Sequence, residues 1–213
     1  GDFGGGSTYL VIGVLSALLE ARTSGRGQVV DAAIVDGVAH LSLMNAGLLA
    51  SGLVSETRAN GLLNGGAPFY GVYETADGQH MAVGAIEPVF WAALVEGLGL
   101  SDVPDRNDRA QWPRLRTMLT ERFARKTRDE WSAIFEGTDA CCAPVLSMSE
   151  AARHPHLASR STYVERAGVL QPAPAPRFSR TPARLTSEPA PALEGADAEA
   201  LLAAWGLIPV DPA

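Results

Sequence analysis

Residues 69–86 constrain the fold most, because they carry the signals of a β-hairpin. Two apolar runs, residues 69–75 and 79–86, flank the pair Asp77-Gly78. An Asp-Gly pair between such runs is a strong signal for a tight turn that joins two antiparallel strands. A hairpin needs another layer to cover its apolar face, and Pro88 follows in a place that suits the first turn of a helix. We therefore predict a sheet covered by helices.

Helical spacing of apolar residues recurs on both sides of this hairpin. Upstream, Ser7 is placed to cap a first helix, whose apolar positions are Val11, Leu15, Leu18 and Leu19. A second helix is predicted around Met44, with the apolar positions Leu41, Leu48 and Leu49. Between them residues 28–34 favour a short buried strand. Downstream, helices are predicted after Pro88, Trp112, Thr127 and Ser147, the last two with capping boxes, and a strand at residues 141–146. The pattern predicts an α/β chain.

Glycine and proline mark the connections between these segments. Residues 61–68 hold three glycines and a proline and are predicted to be a linker. Residues 171–191 hold six prolines, which favour an extended connector rather than a domain. A short helix is expected at residues 198–205, in a tail that packs back on the first part of the chain.

Charge and cysteine content exclude several classes of protein. The formal net charge of −7 argues against a nucleic-acid binder, which needs a clustered basic face. Cys141 and Cys142 are adjacent, so we expect two small buried thiols, a reducing compartment and a cytoplasmic location. The apolar stretch at residues 9–19 is short of the roughly 20 residues that cross a bilayer, so no membrane association is expected.

The first candidate site is the glycine-rich start of the chain. Asp2 precedes Gly4, Gly5 and Gly6, and a helix is predicted to follow. A glycine turn lets the backbone approach a ligand, and N–H groups at a helix start can receive developing negative charge beside a carboxyl group. The residues alone also allow a plain tight turn with a capping Asp2.

The second candidate is Glu87, which lies between a strand end and a helix start. Functional residues often occupy such positions, although an acidic residue there can also simply stabilise the helix N-terminus. The histidines, at positions 40, 80, 154 and 156, and the vicinal cysteines do not have metal-ligand spacing, so no metal is expected. A serine hydrolase elbow is absent from the sequence.

Several longer motifs occur together in one order along the chain. They are GDFGGG at residues 1–6, GRGQVVDA at 25–32, LNGGAPFY at 63–70, TADG at 75–78, MAVGAIEP at 81–88 and GTDAC at 137–141. On these motifs the chain resembles the α-methylacyl-CoA racemases, members of the family III CoA-transferase (CaiB/BaiF-like) group. The resemblance extends over essentially the whole chain.

The resemblance implies a fold, a reaction and roles for the candidate residues. The family invert 2-methylacyl-CoA thioesters at the α-carbon through an enolate, as isomerases of lipid metabolism without a cofactor other than the CoA of the substrate. Asp2 would be one of two acid/base groups, Glu87 would support the second, a histidine, and the turn at residues 4–6 would hold the enolate oxygen. None of the four histidines matches the family's histidine, which lies upstream of the Asp motif.

The family's architecture also predicts a division of the chain. Residues 1–61 would be the later part of a Rossmann-like large CoA-binding domain, 62–170 a small α+β domain, and 171–213 the proline-rich return segment with a C-terminal helix. Two chains would interlock as a homodimer. Two alternatives stay open: CoA transfer through an aspartyl mixed anhydride, and an inactive fragment or assembly module that lacks the catalytic histidine.

Overall fold

The computed structural model describes residues 1–185 and 196–206. Their contacts divide the chain into two compact units, and the boundary along the sequence falls between Val145 and Leu146. The first unit holds both candidate carboxyl groups, and the second begins after the sheet that the hairpin helps to form.

The chain begins with one long helix. A π-helical turn, Asp2–Ser7, runs directly into α1, Thr8–Ser24, and Gly25 ends the helix with a φ of +71°. A helix in this place is confirmed. The prediction that Ser7 caps it is wrong, because Ser7 has helical dihedrals, φ −59° and ψ −41°, inside a helix that already started at Asp2.

This helix is longer than its apolar run suggested. It covers Asp2–Ser24, 23 residues with a mean hydropathy of 1.3 in its most apolar window, of which 11% is buried. By length and composition alone it could cross a membrane, so the argument that the segment is too short is wrong. The expectation of no membrane association stays a prediction.

Two short helices follow, α2 over Ile34–Leu41 and α3 over Leu43–Ala50, separated at Ser42. The strand predicted at residues 28–34 is wrong. Residues 28–33 join no ladder, since the sheets of the described residues are built from other segments. A strand is held by hydrogen bonds to a neighbouring strand, and none of the strands among residues 1–185 and 196–206 pairs with this segment.

The predicted hairpin is confirmed and belongs to a three-stranded antiparallel sheet. Strands β1, Tyr70–Glu74, and β2, His80–Gly84, pair directly, and β3, Cys142–Pro144, adds on the other edge of β2. The turn works as the sequence predicts, with Gly78 at a φ of +71°. Strand β2 of this sheet ends at Gly84, three residues before Glu87.

Three helices of the first unit pack around this sheet. They are α4, Pro88–Leu98, α5, Trp112–Phe123, and α6, Arg128–Phe135, with a short 3-10 turn before α5. The capping box at Thr127 and Glu130 is present as predicted. Aromatic side chains fill the centre: the Tyr73 and Phe123 rings stack at 5.1 Å, and Phe123 meets Trp131 at 5.5 Å. Each such fully buried side chain stabilises the fold by roughly 2–3 kcal/mol.

The second unit is smaller and holds helices and a two-stranded sheet. It contains α7, Met148–Arg153, α8, Pro155–Ser159, β4, Tyr163–Arg166, β5, Val169–Pro172, and α9, Ala196–Ala204. The capping box at Ser147 and the C-terminal helix are confirmed. The end of the predicted proline-rich connector, residues 186–191 with Pro189 and Pro191, lies outside the described residues, and its first two residues belong to β5.

Candidate functional site

Asp2 is the first residue of the long N-terminal helix and is exposed to solvent. The first N–H groups of any helix have no partner within the helix, so they point past Asp2 towards whatever lies beyond the helix end. A carboxyl group and unpaired N–H donors therefore occur at the same end of one rigid element. That combination suits proton transfer next to an oxygen that gains negative charge.

The glycine run does not form the open turn that the sequence suggested. Gly5 N–H and Gly6 N–H both donate to the Gly1 carbonyl, at 2.7 and 3.1 Å, and these two glycines are buried. Their N–H groups are used inside the helix, so the prediction of a glycine turn at this place is wrong. Gly4 is exposed and lies before Gly5, the residue whose N–H makes the first hydrogen bond within the helix.

Packing against α2 explains why Gly5 and Gly6 must be glycine. A Cβ atom on Gly5 would lie 2.8 Å from Val38 Cγ2, and one on Gly6 would lie 2.9 Å from Ile34 Cγ1. The Gly5 position also meets the backbone of α2, with Val38 N at 3.0 Å, whereas at Gly6 the Ile34 side chain would have to shift. The helix that carries Asp2 thus rests closely on α2 through these two residues.

Gly37 is a residue of this site that sequence reasoning missed. A Cβ atom on Gly37 would lie only 1.9 Å from the Gly5 carbonyl oxygen, so the backbones touch there. The available signal was a lone glycine inside an apolar helical pattern, which usually has a packing reason. Gly37 therefore helps to set the position of the segment that carries Asp2.

Glu87 stands at the N-cap of α4 with extended backbone, φ −73° and ψ 149°. Its side chain does not cap the helix, and it is exposed. Glu87 therefore does not cap α4 by a side-chain hydrogen bond, and its position at the helix start remains compatible with the simpler role of an anion that favours the helix dipole. The carboxylate is held at a fixed point but is free to accept a hydrogen bond from another group.

The backbone before Glu87 is fixed by two tight contacts. Gly84 N–H donates to the Cys141 carbonyl at 2.8 Å, and Ile86 N–H donates to the Gly84 carbonyl at 2.9 Å. Cys141 adopts a φ of +47° and is exposed, so the prediction of two buried cysteines is wrong for this residue. Burial raises the pKa of the Cys142 thiol to about 12, as expected of an enclosed thiol.

Asp2 and Glu87 lie on different elements, and no hydrogen bond joins them among the described residues. The histidines do not connect them either. His40 shares a 2.5 Å hydrogen bond with the Tyr9 hydroxyl, and His80 pairs with Glu74 in the sheet. His154 and His156 belong to the second unit.

Residues 1–185 and 196–206 contain no group of three His, Cys, Asp or Glu side chains placed to bind a metal ion. A cavity of about 890 Å³ lies in the first unit, with Leu48, Leu62 and Phe69 in its wall beside Arg106 and Arg109. Both guanidinium groups already donate to backbone carbonyls, Arg106 to Ala85 and Arg109 to Leu53. The cavity therefore offers an apolar wall rather than a built anion site.

Comparison with known proteins matches this chain to one family. Residues 1–198 match the sequence profile described as CoA-transferase family III. The chain is 46% identical to the α-methylacyl-CoA racemase of Mus musculus over 185 residues, covering 85% of this chain and 49% of the mouse protein. It is 41% identical to the Homo sapiens α-methylacyl-CoA racemase, covering 85% of this chain and 48% of the human protein.

A solved structure agrees with the fold. A CaiB/BaiF family protein from Brucella suis superposes with a TM-score of 0.69 at 22% identity, over 93% of this chain and 53% of the other. The family III fold that the motifs implied is thereby confirmed. The chain spans about half the length of the curated relatives that it matches.

Proposed function

Since the chain belongs to CoA-transferase family III, we propose that it is the part of an acyl-CoA racemase that carries one proton-transfer group. The single observation that carries this proposal is the identity of 46% and 41% to two proteins named α-methylacyl-CoA racemase, over 85% of the chain. The reaction would be inversion at the α-carbon of a 2-methylacyl-CoA thioester. The enzyme would be an isomerase that needs no cofactor besides the CoA of its substrate.

The chemistry follows from the thioester. Its carbonyl makes the neighbouring α-proton removable, because the electron pair left behind is delocalised onto oxygen as an enolate. Asp2 would remove or return that proton on one face, and a second group would act on the opposite face. The N–H groups at the start of the helix, at Phe3 and Gly4 rather than at the buried Gly5 and Gly6, would stabilise the enolate oxygen.

Glu87 would support the second acid/base group. In the family this group is a histidine upstream of the Asp motif, and none of the histidines of this chain matches it. The free, exposed carboxylate of Glu87 supports the proposal, since it can accept a hydrogen bond from an imidazole N–H. Residues 1–61 would contribute to the large domain and 62–170 to the small domain of an interlocked homodimer, in which the small domain reaches the partner's active site.

An exchange experiment with the full-length protein tests this function. Each epimer of a 2-methylacyl-CoA is incubated separately in deuterated water, and the product is analysed by chiral chromatography and mass spectrometry. We expect the opposite epimer to form with one deuterium at the α-carbon. Absence of both epimerisation and deuterium incorporation would overturn the proposal.

CoA transfer to a carboxylic acid is the second candidate, because the family profile itself is named for transferases. There Asp2 would attack the thioester carbonyl and release the CoA thiolate, which leaves a mixed anhydride between Asp2 and the donor acyl group. The thiolate would then attack the Asp2 carbonyl, release the donor acid and form an aspartyl-CoA thioester. The acceptor carboxylate would displace the thiolate to give a second anhydride, and the thiolate would attack the acceptor acyl carbonyl and free Asp2. Hydroxylamine converts such an anhydride into a hydroxamate. Mass spectrometry that finds an Asp2 hydroxamate after incubation with acyl-CoA would support the transferase, and an unmodified Asp2 supports the racemase.

A further inference from the structure

Arg106 lies across two aromatic rings and reaches the segment before Glu87. Its guanidinium carbon is 5.0 Å from the centre of the Phe69 ring and 5.7 Å from that of the Trp91 ring. Its Nη1 donates to the Ala85 carbonyl at 2.8 Å. The side chain is thus held by stacking and ends on the backbone two residues before the carboxylate.

The backbone of Arg106 is fixed as well. Its carbonyl accepts a hydrogen bond of 2.7 Å from the indole Nε1 of Trp112, on the first turn of α5. Arg106 therefore connects α5 to the turn that leaves β2. A residue held at both its backbone and its side chain can define the position of a neighbouring segment more sharply than a flexible surface arginine can.

The charge of Arg106 also reaches Glu87. Burial lowers the pKa of the Arg106 guanidinium, while the carboxylates of Asp105 and Glu87 act in the opposite direction. An arginine stays charged despite such burial. No direct ion pair joins Arg106 to Glu87 in the described part of the chain. The positive charge of Arg106 therefore acts on the Glu87 carboxylate, while the carboxylate oxygens remain available to another group.

We propose that Arg106 is a positioning residue that acts through Glu87: it holds the Ala85 carbonyl and so fixes the direction in which the Glu87 carboxylate faces its partner group. This inference rests on the proposed racemase function. Nothing in the motifs marks Arg106, because its role comes from a contact across 21 residues of sequence.

A double-mutant cycle on the full-length enzyme tests the inference. Arg106→Met and Glu87→Gln are made singly and together, and kcat and KM for α-proton exchange are measured. We expect Arg106→Met to lower kcat by about 10-fold in the wild-type background but less than about 2-fold in the Glu87→Gln background, with KM nearly constant. Arg106→Lys, which keeps the charge and one donor, should recover part of the loss.

Arg116→Met is the matched control. Arg116 also donates to backbone carbonyls, those of Gly65 and Gly66 at 2.9 Å, but it lies on α5 away from the turn before Glu87. Its loss should lower the melting temperature and leave kcat unchanged in both backgrounds. Should Arg106→Met fail to fold, the cycle is run with Arg106→Lys, for which we expect about a 3-fold loss of kcat that disappears with Glu87→Gln.

Equal losses of kcat from Arg106→Met in both backgrounds, or no loss in either, would overturn the role of Arg106. These results leave the proposed function standing as long as Glu87→Gln itself lowers exchange by about 100-fold. If Glu87→Gln has wild-type exchange, the proposed role of Glu87 fails and the inference fails with it.

Discussion

The backbones of Gly5 and Gly37 are in direct contact: a Cβ atom on Gly37 would lie 1.9 Å from the Gly5 carbonyl oxygen and 2.9 Å from the Gly5 Cα. Gly5 belongs to the turn that begins with Asp2, and Gly37 lies within α2. The position of the Asp2 carboxyl group therefore depends on a contact that no side chain can enter.

Replacing Gly37 by alanine tests this dependence. The added methyl group must push the Asp2 segment away from α2, and overpacking of this kind costs about 1–3 kcal/mol in the free energy of unfolding. We expect the full-length Gly37→Ala enzyme to lose exchange activity at least about 10-fold, since a shift of about 1 Å in a reacting group has effects of that size or more. Urea unfolding and exchange kinetics provide the two measurements.

Gly47→Ala serves as the control for this substitution. Gly47 also lies in a helix, α3, but a Cβ atom there would have nothing within 4 Å. Alanine should therefore be neutral or stabilise the helix by up to about 1 kcal/mol. If both variants keep full activity, the close contact with Gly5 does not position Asp2.

Local signals predicted the small sheet and its helices well. Asp77-Gly78, Pro88 and Thr127 act through their immediate neighbours, so the hairpin, the start of α4 and the capping box follow from short stretches of sequence. The Glu87 position follows from the same signals. The local pattern around Asp2 and Glu87 did not favour a catalytic role over a structural one. The resemblance of the longer motifs to the family is what suggested the catalytic role.

What the sequence did not reveal depends on contacts distant along the chain. Residues 28–33 have the composition of a buried strand, but a strand forms only where a partner lies beside it, and no described segment of the chain pairs with them. The glycine run is helical rather than an open turn, and its packing of Gly5 on Gly37 joins residues 32 positions apart, which leaves no local pattern. Arg106 was missed for the same reason, since stacking on Phe69 and Trp91 leaves no local pattern.

The capping box of α6 should stabilise the fold without any catalytic effect. Thr127 Oγ1 accepts a hydrogen bond from Glu130 N–H, and the Glu130 carboxylate accepts one from Thr127 N–H. Thr127→Ala should lower the free energy of unfolding by about 1 kcal/mol and leave kcat unchanged. Thr117→Ala, in the exposed middle of α5, is expected to change it by less than about 0.5 kcal/mol. Equal effects of the two substitutions would show that the cap contributes nothing.

Tyr73 should make stability depend on pH in the alkaline range. Burial raises the pKa of its hydroxyl to about 12, above the ordinary value of 10.0. Its contribution is therefore complete below about pH 10 and is lost as the pH rises through about 12, because the unfolded chain releases the proton first. The loss is on the order of 3 kcal/mol.

Denaturation midpoints between pH 9 and about 11.5 measure this effect. The Cys142 thiol, whose pKa burial raises to about 12, titrates in the same direction, so the comparison is made in a Cys142→Ala background. Tyr73→Phe should flatten the decline in stability above about pH 10, the pKa of a tyrosine in the unfolded chain. An unchanged slope in that variant would show that Tyr73 does not titrate as described.

The 213-residue polypeptide on its own should be inactive and should self-associate. It supplies Asp2 and Glu87 but no histidine suited to the second acid/base role, and large apolar side chains on α1 and α2 are exposed, among them Leu19 at 65% and Val35 at 73%. Light scattering at several concentrations and an exchange assay check both parts. A monodisperse monomer with robust turnover would contradict this prediction.

Proton transfer by Asp2 is tested most directly by measuring epimerisation by the full-length Asp2→Asn enzyme in deuterated water. Asparagine keeps the shape of the side chain at the start of the helix but cannot carry the proton, so the fold should persist and melting temperature should be unchanged. We predict that formation of the opposite epimer with deuterium at the α-carbon falls at least about 100-fold. Epimerisation and deuterium incorporation at the wild-type rate would contradict the role of Asp2 and, with it, the proposed function of this chain.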